Sequence, residues 1–147
     1  HLARAQLADL FLDTRPCNAH TTAADALRAG VPVLTCPGDT FASHVAASLA
    51  HAAGLDELVV RDLDAYEALA VALGHDPDRL MALKRHLTSG LKTLPVFDMD
   101  GRARELDSAY TEMLARHRQG LAPAAFSVPV GAGPALEGFL DIRSTTP

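Results

Sequence analysis

Between Asp13 and Asp25 the chain gathers carboxylates, hydroxyls, an amide, a thiol and an imidazole, in the order Asp13-Thr14-Arg15-Pro16-Cys17-Asn18-Ala19-His20-Thr21-Thr22-Ala23-Ala24-Asp25. Thr21 or Thr22 stands where a helix should begin. The unpaired N–H groups of a first helical turn, with two hydroxyls beside them, make a seat for a phosphate. A helix dipole adds about 0.3 to 1 kcal/mol at such a seat when exposed and up to about 2 kcal/mol when partly buried. Asp25 follows Thr22 by three residues. It has two compatible readings: a first-turn carboxylate supporting the helix start, or a short, stiff acceptor for sugar or ribose hydroxyls. His20 likewise reads as a hydrogen-bonded structural residue or as a donor to a diphosphate oxygen.

A second loop, Cys36-Pro37-Gly38-Asp39-Thr40-Phe41-Ala42-Ser43-His44, also follows an apolar run and precedes a helix. Gly38 suits a tight turn or a close backbone approach. Thr40 reads as a helix cap or as a ligand contact, and His44 as a surface residue. Cys17 and Cys36 read as small buried groups, because no base is set beside either. Gly-x-Gly-x-x-Gly, the P-loop pattern and the Gly-x-Ser-x-Gly elbow are all missing from the sequence. The seven histidines are scattered without metal-ligand spacing, so neither a metal nor a tightly held cofactor is expected.

The elements that would carry these loops follow from hydrophobic pattern. Ala8 to Asp13 and Val31 to Cys36 read as buried strands, with Pro32 at the first position of the second. Leu58 to Val60 reads as a third, short strand. Thr21 to Ala29, closed by Gly30, and Phe41 to Ala53, closed by Gly54, read as the helices between them. Strand and helix alternating with short links predict a doubly wound parallel α/β sheet, whose ligands lie beyond the carboxyl ends of the strands. Three further helices follow. One is capped by Asp62 with Tyr66, Leu69, Ala70 and Leu73 on one side. Another opens at Asp76-Pro77 with Leu80, Leu83, Leu87 and Leu91. The last begins between Asp98 and Arg102 and carries Leu106, Tyr110, Met113 and His117. Residues 120–147 are Pro- and Gly-rich and read as a tail, leaving 1–119 as the folded part.

An apolar fraction of 48% supports a genuine core, and 21% charged residues suit a water-facing surface. A net charge of -5 and 5% aromatic content argue against nucleic acid or an anionic membrane as partner. Two cysteines without a metal spacing make a reducing cytoplasm the expected compartment. No apolar run is long enough to suggest a membrane span. The opening His-Leu-Ala-Arg-Ala-Gln has neither a signal-peptide core nor an initiating Met, so an upstream segment is expected.

From Gln6 to Val60 the combination Asp-Thr-x-x-x-Asn-x-His-Thr-Thr, x-x-Asp, Ala-Gly-x-Pro and Pro-Gly-x-Thr-x-Ala-Ser resembles the carboxyl-terminal catalytic lobe of the O-linked N-acetylglucosamine transferase family, in a bacterial form. The match is best over residues 1–60, looser to about residue 118, and does not extend into the tail. The resemblance implies part of the carboxyl-terminal lobe of a GT-B glycosyltransferase: a Rossmann-like doubly wound parallel sheet with carboxyl-terminal helices. It implies UDP-N-acetylglucosamine as donor and inverting transfer to protein Ser or Thr hydroxyls without an essential metal. An amino-terminal lobe and TPR repeats of the same protein are then the expected partners. By position, His1 corresponds to a histidine near the uracil and ribose, His20, Thr21 and Thr22 to diphosphate contacts, and Asp25 to the ribose-holding aspartate. The principal base comes from outside this stretch, so none of these residues is assigned as catalytic. Ala19 replaces a usual Gly, and His44 stands where animal members carry Arg. Alternatives are a GT-B transferase with another UDP-sugar or acceptor, a UDP-sugar-binding module without catalysis, and a domain whose loop residues are all caps and turns.

Overall fold

The computed structural model of the protein describes residues 2–128. Helix dominates. The helices are α1 (Leu2–Ala5), α2 (Thr21–Arg28), α3 (Val45–Ala52), α4 (Leu63–Gly74), α5 (Pro77–Ser89) and α6 (Met99–Arg118). The strands are β1 (Phe11–Leu12) and β2 (Val33–Leu34), and single 3-10 turns cover Phe41–Ser43, Asp56–Leu58 and Pro95–Phe97. The chain divides into two compact units, His1–Phe97 and Asp98–Pro147.

In the first unit β1 and β2 pair in parallel, Phe11 opposite Val33 and Leu12 opposite Leu34. The ladder runs slightly past both strands: Asp13 N–H donates to Leu34 O at 3.0 Å, Thr35 N–H to Leu58 O at 3.0 Å, and Val60 N–H to Thr35 O at 3.0 Å. Beyond that, Thr35 and Val59 form a single parallel bridge. The expected doubly wound, Rossmann-like sheet of a GT-B lobe is therefore wrong for this chain. Among the described residues the sheet has two strands of two residues each. Pro32 has no N–H to add at the start of β2, and Thr14-Arg15-Pro16 turns the chain away directly after Asp13. Of the anticipated third strand, Leu58 to Val60, Leu58 ends the 3-10 turn Asp56–Leu58 and Val59 makes only the single bridge to Thr35.

That finding also overturns what was expected of the chain as an enzyme. A nucleotide-sugar lobe gathers its substrate in a crevice at the carboxyl ends of several parallel strands. The described residues lack the sheet that would build such a crevice. The described residues accordingly do not form the expected catalytic unit of a UDP-N-acetylglucosamine-dependent, inverting, metal-independent protein O-GlcNAc transferase. The same finding counts against the alternatives that presuppose such a lobe, another GT-B transferase or a sugar-binding module built on it.

The core is formed by helices closing on the short ladder. Leu27, Val31, Val33, Leu34, Leu55, Leu58, Leu73 and Leu87 are almost wholly removed from water, and each such side chain contributes roughly 1.5–3 kcal/mol. Ala23 and Ala26 of α2 and Ala46 and Ala50 of α3 are buried in the same cluster, and their small side chains allow close helix approach. Tyr66, Leu69 and Ala70 of α4 and Leu80 of α5 pack against it, as their helical spacing predicts. Leu91 lies beyond the end of α5 and is exposed. Asp62 and Asp76 cap α4 and α5, accepting from Ala65 N at 2.8 Å and Arg79 N at 2.9 Å. The single helix expected over Phe41 to Ala53 is interrupted at His44, where a 3-10 turn gives way to α3.

In the second unit Asp98 caps α6 by accepting Gly101 N–H at 2.8 Å. Residues 121–128 follow as irregular chain, and Arg116 Nη2 donates to Ala122 O at 3.4 Å. The rest of the Pro- and Gly-rich tail, 129–147, lies outside the described residues. No described helix is long and apolar enough to cross a membrane.

Two outcomes follow for stability. Gly30 ends α2 with φ +79°, and a Cβ there would lie 2.7 Å from Thr88 Cγ2. A left-handed non-glycine residue costs about 1–2 kcal/mol before any clash. Gly30→Ala should therefore lower the thermal midpoint by at least about 4 °C; a variant melting with the wild type refutes the fit. The Asp62 carboxyl is held below its ordinary value of 3.8 by Ala65 N–H and, less strongly, by Arg61. Its stabilisation is fully present above that value and is lost as pH falls through the lowered folded value. Asp62→Asn should flatten this acid limb in melts taken at falling pH, and an unchanged limb counts against the cap.

Candidate functional site

The loop between β1 and α2 starts from a buried carboxylate. Asp13 is only 7% exposed, and no cation among the described residues forms an ion pair with it. Oδ1 accepts Ala19 N–H at 2.7 Å, and Oδ2 accepts the hydroxyl of Thr35, itself fully buried, at 2.6 Å. The Asp13 carbonyl accepts the Tyr66 hydroxyl from α4 at 2.8 Å. Burial, and then the nearby Asp13 and Cys36, push the Tyr66 hydroxyl above its usual range, so it remains a donor at neutral pH.

The chain from Thr14 to Ala19 closes on itself. Thr14 Oγ1 donates to Cys17 O at 3.0 Å, and Asn18 Nδ2 donates to Thr14 O at 3.1 Å. Arg15–Pro16 is a cis peptide. Asn18 is 4% exposed, and its Oδ1 is buried without a hydrogen-bond partner. Cys36 is buried as expected, but Cys17 is exposed, which corrects its reading as a buried filler. The loop projects it outward while its neighbour Asn18 takes the inner position.

The second loop meets the first at Ala42. Its carbonyl accepts Asn18 N–H at 2.8 Å and lies 3.3 Å from His20 Nε2. The His20 ring also stands edge-on to Phe41, with centroids 6.1 Å apart. Arg15 reaches across from the first loop, its Nη1 lying 3.7 Å from Cys36 Sγ. Thr40 and Ser43 form a reciprocal cap: Ser43 Oγ accepts Thr40 N–H at 3.0 Å and donates to Thr40 O at 2.9 Å. Gly38 is the close approach, since a Cβ on it would fall 2.8 Å from Ser43 Oγ.

At this junction α2 begins. Thr21 and Thr22 occupy its first two positions and are exposed. His20 is the N-cap residue but makes no side-chain cap hydrogen bond, so the first-turn N–H groups lack the usual local acceptor. Asp25 is partly buried one turn further on, on the same side as Thr21 and Thr22 by helical spacing. The structure thus brings His20, Thr21, Thr22 and Asp25 onto one helix start. His1, expected to join them, lies outside the described residues. Sequence reading had not singled out Asp13, Asn18 or Arg15 as site-forming residues. A buried-strand run ending in Asp, before a loop ending in His-Thr-Thr, was the one available signal. Among the described residues no group of three His, Cys, Asp or Glu side chains is placed to hold a metal ion.

Comparison with known proteins gives a consistent affiliation. Residues 1–106 match the profile of glycosyl transferase family 41. A probable UDP-N-acetylglucosamine–peptide N-acetylglucosaminyltransferase SEC of Arabidopsis thaliana is 40% identical over 129 residues, covering 87% of this chain and 13% of that protein. The UDP-N-acetylglucosamine–peptide N-acetylglucosaminyltransferase of Caenorhabditis elegans is 36% identical over 121 residues, covering 82% of this chain and 10% of that one. Among solved structures, a lysine-to-methionine variant of the O-GlcNAc transferase of Thermobaculum terrenum aligns with TM-score 0.76 and 37% identity. That alignment covers 82% of this chain and 23% of the other. The chain therefore spans only a small part of each relative.

The Thr40–Ser43 cap yields a direct check. Ser43→Ala leaves Thr40 N–H without its acceptor beside a buried position, and should cost about 1–2 kcal/mol in denaturant unfolding. A loss below the measurement error would mean that the cap does not hold this loop.

Proposed function

We propose, since this chain belongs to glycosyl transferase family 41, that it comes from the carboxyl-terminal part of a larger family protein and that its His20–Asp25 segment supplies contacts to a UDP-sugar. The observation that carries the reading is the start of α2. There a helix start without a side-chain cap, two exposed threonines and a histidine adjoin the meeting point of two loops. The first-turn N–H groups and the hydroxyls of Thr21 and Thr22 have the chemistry to accept a diphosphate as partner, and a helix start favours its negative charge. His20 adds a ring nitrogen to the same oxygens. Asp25 is the acceptor for ribose hydroxyls, and His1 belongs beside the uracil and ribose. The relatives are named for UDP-N-acetylglucosamine, which supports a uridine diphosphate sugar over other anions. A separate amino-terminal lobe and a TPR region of the same protein are its partners. The proposal concerns binding contacts alone.

One observation favours a second reading of His20. Its Nε2 already lies within hydrogen-bonding distance of the Ala42 carbonyl, which would make it a staple between the loops.

Calorimetric titration of the full-length protein with UDP tests both readings. Asp25→Ala should weaken UDP binding by at least about tenfold, equivalent to about 1.4 kcal/mol, with and without added magnesium, while the variant remains folded. His20→Ala should lose affinity by a similar factor with little change in melting temperature. Wild-type affinity in a folded Asp25→Ala protein would remove the ribose contact. Normal affinity with a lowered melting temperature in His20→Ala would make that histidine a staple.

A further inference from the structure

We infer that Asp13 is the positioning residue of the UDP-sugar contact: its buried carboxylate, tied to Ala19 N–H and the Thr35 hydroxyl, sets where His20, Thr21 and Thr22 stand. This rests on the reading of the α2 start given above. A helix start is ordinarily oriented by its own N-cap side chain. Here His20 has the N-cap position, with φ -101° and ψ -89°, and its side chain makes no cap bond. The orienting acceptor instead lies seven residues upstream of the cap. Asp13 Oδ1 holds the N–H of Ala19, the residue immediately before the cap, at 2.7 Å. The Asn18–Ala19 peptide plane, one residue before the cap, is thereby referred to the end of β1.

Three further contacts make Asp13 a rigid reference. Its second oxygen accepts from Thr35, one residue past the end of β2. Its N–H continues the ladder to Leu34 O at 3.0 Å. Its carbonyl accepts from Tyr66 on α4. Both carboxylate oxygens are thus occupied within the protein, and the residue is 7% exposed, so it acts on the ligand only through Ala19 and the cap. A carboxylate suits this place because it can accept from an N–H and a hydroxyl at once, and charge strengthens both bonds. Buried donors left without it would search for other partners and shift the loop.

The test is UDP titration of the full-length protein at a temperature where circular dichroism shows every variant folded. Asp13→Ala should raise Kd at least about tenfold. Asp13→Asn keeps an oxygen for Ala19 N–H and turns its amide toward Thr35 Oγ1, so it should stay within about threefold of wild type. Leu83→Ala, a core change on α5, serves as the control, lowering stability while leaving Kd within about twofold. A folded Asp13→Ala protein that binds UDP like wild type overturns the inference, and so does an equal loss of affinity in Leu83→Ala. Should Asp13→Ala fail to fold, Thr35→Val removes one partner only. It is then expected to raise Kd about threefold to tenfold, and an unchanged Kd is equally fatal. Absence of UDP binding by the wild type would sink the ligand reading itself, and this inference with it. That result differs from a binding wild type with an indifferent Asp13 variant.

Discussion

A carboxylate taken out of water must be supplied with hydrogen-bond donors, and Asp13, which pairs with no cation among the described residues, imposes that demand on the first unit of this protein. The unprotected cost of such burial is several kcal/mol, a large part of the stability of a domain this size. It is met by one backbone N–H and one hydroxyl, from Ala19 and Thr35. The chain must therefore curl back after β1, and the end of β2 must sit beside it. Tyr66 adds a tie from α4 to the same residue, far along the sequence.

The apolar core makes this arrangement possible. Thr35 is fully buried because Val33, Leu34 and Leu58 surround the ladder from which it extends. Alanines on α2 and α3 let those helices lie close to β2, so a ladder of very short strands is still covered. The result is a helical body in which the strands serve as a reference line for a loop. The two loops that follow the strands share the Ala42 carbonyl as a hinge point, and their polar residues divide between structural work and exposure. Thr40 and Ser43 are consumed in a cap, whereas Thr21 and Thr22 face solvent at the start of α2.

Membership of family 41 and the architecture of this chain place different limits on function. The affiliation extends over residues 1–106, yet the relatives are many times longer than the part matched. A helix start can offer donors to a diphosphate without any extended sheet, because its unpaired N–H groups belong to the first turn alone. Transfer chemistry requires a base and an acceptor surface, and the described residues do not form the sheet-built crevice that would house them. Contact residues and a catalytic unit are thus separable, and the proposal made for this chain concerns the former alone.

Local rules were enough to read the parts of this protein whose energetics are local. Asp62 and Asp76 were legible as caps because a side chain and an N–H three residues on satisfy one another without help. Gly30 and Gly54 were legible as helix ends, and the leucines of α4 and α5 as a buried stripe. The His20 to Asp25 cluster was legible as a group because one helix carries it. Strand length was not, since an apolar β-branched run has the same appearance whether a long neighbour pairs with it or a helix covers it. The expected doubly wound sheet failed for that reason. Cys17 and Asn18 were equally beyond reach: which of two adjacent loop residues turns inward depends on Ala42 and Thr14, brought close only by the folded chain. Sequence by itself determined the caps of α4 and α5, the glycines that close α2 and α3, and the chemical character of the loop. Tertiary structure alone decided that Asp13 is buried, which donors meet it and where the loop consequently points, because those contacts join residues distant in the chain.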